Sequence, residues 1–190
     1  MTSRSHIAVS KDVAERLAAV AKDLGMTQFA LANEILTLGL DMISNGITTA
    51  RVREIMTLYK ILTEIEVVPV PARIFDKLIV NSYNVDREST VKAWCEAGKT
   101  LAAYIKAMFG SLNNISSLLP YLSDIFPSKK FEVKLTEDEF DLNIVGLGYS
   151  AETVEANAAA LRCLLEDLGY KIEELITAPG LLKAKAKKVG

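Results

Sequence analysis

The apolar residues follow two different spacings within the first seventeen residues. In the stretch SHIAV (5–9) polar and apolar residues alternate, and from Ser10 onward the apolar residues Val13 and Leu17 lie one helical turn apart. Strict alternation is typical of a strand, and a spacing of three to four residues is typical of an amphipathic helix. The pattern therefore predicts a short strand that leads directly into a helix.

Two helices are predicted after this strand. Ser10 suits the N-cap of a first helix over residues 11–24, and Gly25 suits its C-terminal end. Thr27 can cap a second helix, whose apolar stripe consists of Leu31, Ile35, Leu38 and Met42. Because a lone strand cannot satisfy its backbone hydrogen bonds, we expect it to pair with the same strand of a second chain.

Residues 4–44 resemble a ribbon-helix-helix domain of the MetJ/Arc type. The resemblance rests on the ordered pattern of SHIAVSKDVAERLAAVAKDLGMTQFALANEILTLGLDMI and on its Gly-Met-Thr turn. In that family two chains pair their N-terminal strands into an antiparallel ribbon that enters the major groove, and the start of the second helix contacts phosphate. The implied base contacts are Arg4, His6 and Ala8, and the implied phosphate contacts are Met26, Thr27 and Gln28.

Ala8 departs from the family pattern. Family members commonly carry a polar or basic side chain at this position, whereas a methyl group can contact only a thymine methyl. The resemblance therefore implies weaker sequence-specific reading of DNA than the fold would suggest.

A second stretch repeats the first pattern. Residues 68–78, VPVPARIFDKL, match residues 7–17, IAVSKDVAERL, 61 positions later in the chain. This predicts a second, degenerate ribbon-helix-helix unit, and we expect that unit not to read DNA. Its outward strand positions, which lack a basic side chain, are Ile65, Val67 and Pro69. The alternative is an ordinary stretch of strand and helices whose likeness to the first is chance.

The remaining sequence completes a predicted α+β fold. From Phe131 the apolar residues alternate again, which predicts two strands; a helix capped by Ser150 and ended by Gly169 follows, and then a further strand. The segment LLKAKAK (181–187), with lysines at alternate positions, could be a last strand. The result is a small β-β-α-β module. The predicted domains are the ribbon-helix-helix unit 1–46, a linking helix 47–66, the second unit 67–127 and the module 128–190 with its basic C-terminal tail.

The charge is unevenly distributed along the 190 residues. The formal net charge is −2 at pH 7, yet residues 131–182 hold three Lys/Arg and eleven Asp/Glu, and residues 183–190 hold four Lys and no acid. Nucleic acid repels an acidic domain and attracts a basic tail. Non-specific DNA contacts are therefore expected at Lys183, Lys185, Lys187 and Lys188.

Few residues suit catalysis or metal binding. Cys95 and Cys163 lack metal-ligand spacing and suggest buried free thiols, and His6 is the single histidine. These observations predict a non-enzymatic protein with no metal and no cofactor. The apolar runs are shorter than a membrane span and no signal peptide opens the chain, so we expect no membrane partner and a cytoplasmic location, with the nucleoid as its site if it binds DNA.

Two functional hypotheses follow. The first is a DNA-binding transcriptional regulator or chromosome-organising protein that places an N-terminal β-ribbon of a homodimer, or of a higher oligomer, in the major groove of double-stranded DNA. The alternative is a non-enzymatic protein-interaction or assembly module that keeps the same fold for dimerisation alone.

Overall fold

The computed structural model describes residues 5–124, 128–146 and 148–189. The chain divides into two units, Met1–Arg53 and Glu54–Gly190. The first unit contains α1 (Lys11–Asp23), α2 (Gln28–Ser44) and the start of α3 (Thr49–Glu64). The helices that follow α3 are α4 (Ala72–Val85), α5 (Arg87–Phe109), the 3-10 helix Leu112–Asp124 and α6 (Ala151–Asp167). The strands are β1 (Lys130–Leu135), β2 (Glu139–Val145), β3 (Tyr170–Ala178) and β4 (Leu181–Lys188).

The prediction of an N-terminal β-ribbon is wrong. Residues 5–10 form no strand and are exposed, so α1 is the first element of the described chain. The strands of the described residues all belong to one four-stranded sheet built from residues 130–188. A strand requires a neighbouring strand that completes its hydrogen-bonded ladder, and residues 5–9 have no such neighbour within the described chain, so the alternation of SHIAV did not produce a strand.

The prediction of a second ribbon-helix-helix unit is also wrong, because this region too lacks the strand. Residues 67–71 form no strand, and Pro69 and Pro71 each remove a backbone donor that a ladder would need. The two helices of this region are present as α4 and α5. Asp86 lies between them. Its carboxylate accepts a hydrogen bond from Ser89 N at 2.9 Å, and this hydrogen bond caps the start of α5.

The C-terminal module is a β-β-α-β-β arrangement, in which the segment LLKAKAK forms the last strand that its alternation allowed. Its four strands are antiparallel in the order β1-β2-β4-β3, so the lysine-rich segment is a central strand and not a tail. Apolar residues and lysines alternate along this strand, so one face of it is buried and the other is polar. Leu182, Ala184 and Ala186 are buried, and the lysines between them lie on the other face. Buried residues of β2 and α6 join these three in one hydrophobic core.

Helices α5 and α6 pack closely in the second unit. Gly98 is buried, and a Cβ placed on it would lie 2.1 Å from the carbonyl oxygen of Ala160. A disulfide between Cys95 and Cys163 joins the same two helices, with the Cα atoms 5.3 Å apart. The prediction of buried free thiols is therefore wrong, because helix packing brings together two cysteines that are 68 positions apart in the sequence.

Candidate functional site

Local signals in the sequence fix the turn between α1 and α2. Gly25 has a φ of +66°, a conformation that glycine adopts without the steric cost of a Cβ. Met26 N–H donates to Ala21 O at 2.8 Å, and Thr27 Oγ1 accepts from Ala30 N at 3.1 Å. The first unit is thus a pair of contacting, well-capped helices.

The first unit buries very few of its apolar side chains. Among its described residues, the buried apolar side chains are Ala21 and Leu31, with 1% and 6% exposure. Leu38 and Leu40, in contrast, are 63% and 65% exposed. We call the following exposed residues the apolar surface of the first unit: Ile7, Val9, Val13, Val20, Leu24, Phe29, Ile35, Leu36, Leu38, Leu40 and Ile43.

Both faces of α2 contribute to this apolar surface. One face is the predicted stripe, of which Leu31 is buried while Ile35 and Leu38 are exposed. The opposite face carries a second exposed stripe, consisting of Phe29, Leu36, Leu40 and Ile43. An apolar stripe on a helix normally faces a packing partner. Helix α2 carries two such stripes, separated on one side by Glu34, Thr37 and Asp41, and most of their side chains are exposed.

The predicted base contacts lie before α1. His6 and Ala8 are exposed in the segment without regular secondary structure, and Arg4 lies outside the described residues. Nothing in the described chain orders these side chains into a common reading face, since the strand that would have done so is absent.

The predicted phosphate contacts lie together at the start of α2. Thr27 and Gln28 are exposed, Met26 is half-buried, and the first turn of the helix holds no acidic residue. The positive end of the helix dipole favours an anion at such a position.

The four predicted lysine contacts belong to β4. Lys183 Nζ lies 3.2 Å from Glu174, and Lys187 Nζ lies 3.5 Å from Glu173 and 3.7 Å from Glu139. These carboxylates offset part of the positive charge that the sequence suggested for this segment. Lys185 is exposed on the same face of the strand, and Lys188 follows at its end.

A polar network connects α4, α5 and α6. Tyr83 and Arg87 both donate hydrogen bonds to the carboxylate of Glu155, and Arg87 Nε donates to the Tyr83 hydroxyl at 2.7 Å. The hydrogen bond from Tyr83 lowers the pKa of Glu155 against the effect of burial, with a further contribution from Arg87, and the same hydrogen bond raises the pKa of Tyr83. Both shifts move away from neutrality, so neither group is tuned for proton transfer near pH 7. We interpret the network as a connection between helices.

Two further classes of site are absent from the described ranges. No group of three or more His, Cys, Asp or Glu residues there is placed to hold a metal ion. None of the helices of these ranges combines the length and the apolar character that a membrane span requires.

Comparison of the chain with protein-family models, with curated proteins and with solved structures finds no match. The likeness to ribbon-helix-helix domains therefore stays an expectation from the sequence pattern alone.

Sequence reasoning missed the apolar surface of the first unit, although its signal was present. The interpretation of α2 used the stripe that contains Leu31 and left aside the opposite stripe that begins at Phe29. Two apolar stripes on one helix predict two buried faces. A pair of helices can cover at most one of them.

Proposed function

We propose that the chain is a non-enzymatic assembly module that self-associates through the apolar surface of its first unit. The observation that carries the proposal is the exposure of one whole apolar stripe of α2 and of Ile35 and Leu38 in the other. Two buried apolar side chains are far fewer than a stable domain of this size requires, because burial of apolar area must offset the entropy of ordering the chain.

A second copy of the chain is the partner that best fits this surface. Residues 5–53 hold five Lys/Arg and five Asp/Glu, so identical copies meet without net repulsion. Eleven large apolar side chains also fit a standard interface, to which each partner contributes roughly 20–30 residues. A two-fold axis would place the same surface on both copies, as most homodimers do.

A matched pair of variants on α2 tests this proposal. Leu38→Glu places a carboxylate within the apolar surface, and Thr37→Glu places the same charge one position away at an exposed polar residue. Because Leu38 is largely exposed in the single chain, Glu costs little there, whereas in a dimer it would be buried without a partner. We expect Leu38→Glu to weaken association by about 2 kcal/mol or more and Thr37→Glu to have a much smaller effect. Sedimentation equilibrium measures both, and equal effects of the two variants would contradict the proposal.

DNA binding without a β-ribbon is the second candidate function. The start of α2 favours it, since Thr27 and Gln28 are exposed and the first turn holds no acid, so the positive end of the helix dipole can attract phosphate. The resulting protein would be a DNA-binding regulator or a chromosome-organising protein located in the cytoplasm or on the nucleoid.

A salt titration with a labelled mixed-sequence duplex tests this second candidate. Phosphate contacts make affinity fall steeply with salt concentration. Gln28→Glu should weaken binding strongly, although an acid at the start of a helix is favourable for the helix itself, and Thr37→Glu is the control of equal charge. Absence of salt-dependent binding by the parent chain would leave self-association as the function.

A further inference from the structure

The second unit contains an apolar cavity of about 360 Å³. Its walls come from α5, α6, the 3-10 helix and the strands β1, β2 and β4, and Tyr149 lies at the start of α6. A volume of this size lies within the range of small-molecule binding sites, roughly 300–1,000 Å³. The cavity belongs to a different unit from the apolar surface, so it would bind a ligand whether or not the chain self-associates.

The walls of this cavity are almost wholly carbon. Among the described residues that line it, none carries a charged side chain, and the side chains with a polar atom are Trp94, Tyr149 and Asn157. An ionised group that entered would lose its hydration without gaining an opposite charge. The cavity therefore selects against ions and favours an apolar molecule.

The positions of the two helical walls are fixed by covalent and steric constraints. The disulfide between Cys95 and Cys163 joins α5 to α6, and Gly98 contacts the backbone of Ala160 too closely for any side chain at this position. The helices cannot approach further to close the space. The cavity is consequently preformed, and a ligand would gain affinity because little ordering is needed on binding.

The polar atoms lie on an aromatic side of the cavity. Trp94 Nε1 donates to Asn157 Oδ1 at 3.3 Å, which leaves the Nδ2 donors of Asn157 for an acceptor on a ligand. The ring of Phe75 lies 6.2 Å from that of Trp94 and 5.7 Å from that of Tyr149, centroid to centroid. Burial, and then the nearby Asp76 carboxylate, raise the pKa of Tyr149. The Tyr149 hydroxyl thus stays protonated. Burial and the Asp76 carboxylate would also disfavour a negatively charged ligand beside it.

We propose that this cavity binds a neutral, mainly aliphatic molecule that carries one hydrogen-bond acceptor, such as an alcohol, ketone or ester oxygen. The aliphatic part fills the space between Leu101, Leu161 and the sheet. The acceptor receives a hydrogen bond from Asn157. An apolar cavity of about 150 Å³ holds a benzene ring, so by proportion this one holds about 14 non-hydrogen atoms.

The experiment compares 1-decanol with decanoate at neutral pH, below the solubility limit of 1-decanol and the critical micelle concentration of decanoate. Trp94 is the single tryptophan of the chain and lines the cavity, so its fluorescence reports occupancy directly. We expect 1-decanol to change the Trp94 emission saturably and decanoate to bind about tenfold more weakly or not at all. Asn157→Leu should weaken 1-decanol by several fold while the cavity remains apolar.

A pair of variants on α5 locates the binding. Ala97→Leu fills part of the cavity, whereas Ala103→Leu adds the same side chain at an exposed position of the same helix outside the lining. We expect Ala97→Leu to weaken 1-decanol about tenfold and Ala103→Leu to leave its affinity unchanged. Equal affinity of decanoate would overturn the neutral ligand class. The absence of any saturable signal with 1-decanol, or its full retention in Ala97→Leu, would overturn the site itself.

Discussion

The carboxylate of Asp76 connects α4 to the start of α6. Its Oδ1 accepts hydrogen bonds from both the backbone N–H and the hydroxyl of Ser150, each at 2.9 Å. Ser150 in turn caps α6, since its Oγ accepts from Thr153 N at 3.4 Å. The Asp76 side chain thus positions Ser150. The local sequence predicts Ser150 as a helix cap but gives no sign of this long-range partner.

Removing this carboxylate should destabilise the protein. Asp76→Ala leaves two partly buried donors of Ser150 without their acceptor, and the loss of such hydrogen bonds typically costs about 1–3 kcal/mol. Asp23→Ala, at an exposed residue in the first unit, is the control, and we expect it to have little effect. Urea denaturation of the second-unit signal, followed by Trp94 fluorescence, measures both variants. Equal stability of Asp76→Ala and the parent would show that the hydrogen bonds contribute nothing.

The same residue gives a pH dependence with a definite sign. Burial raises the pKa of Asp76, but hydrogen bonds from Thr153 and Ser150 outweigh it and hold the pKa below the ordinary value of 3.8. A group with a lowered pKa in the folded state stabilises the protein above its unfolded-state pKa, and this stabilisation is lost as the pH falls through the folded-state pKa. The difference in stability between the parent and Asp76→Ala should therefore be constant near neutrality and shrink below pH 3.8. A difference that grew on acidification would contradict this assignment.

Among the secondary-structure elements, those with local signals were predictable. The sequence predicts Ser10, Thr27 and Ser150 as caps. The structure confirms each, because its side-chain oxygen accepts a hydrogen bond from the backbone amide three residues later. Capping is local, because the cap and its partner are neighbours in the sequence. The wrong predictions involve distant partners: residues 5–9 required a second strand, and the disulfide required the packing of α5 on α6.

The disulfide should contribute substantially to the stability of the second unit. It closes a loop between residues separated by 68 positions, for which the chain-entropy model gives about 4 kcal/mol and measured values are often smaller. We expect dithiothreitol to lower the denaturation midpoint of the parent and to leave that of a Cys95→Ala, Cys163→Ala double variant unchanged. Thiol titration of the unfolded, unreduced parent checks the bond itself, and two reactive thiols would show that it does not form.

At the level of the whole molecule, the two units differ in how completely each buries its apolar residues. The second unit has a continuous core that joins the sheet to α6 and the 3-10 helix. The first unit has two buried apolar side chains among its described residues and eleven large exposed ones. This imbalance is the observation that supports the proposed self-association.

The mass of the full chain in solution is the most direct test of the proposed self-association. One chain has a mass of 20.8 kDa, and light scattering across a dilution series gives the mass of the species present. Self-association through the apolar surface predicts at least twice that mass, with dissociation on dilution accompanied by loss of α1 and α2 helicity, because the two helices lose the contacts that bury them. A monomeric mass at every concentration, with the helical content of α1 and α2 intact, would contradict self-association through the apolar surface.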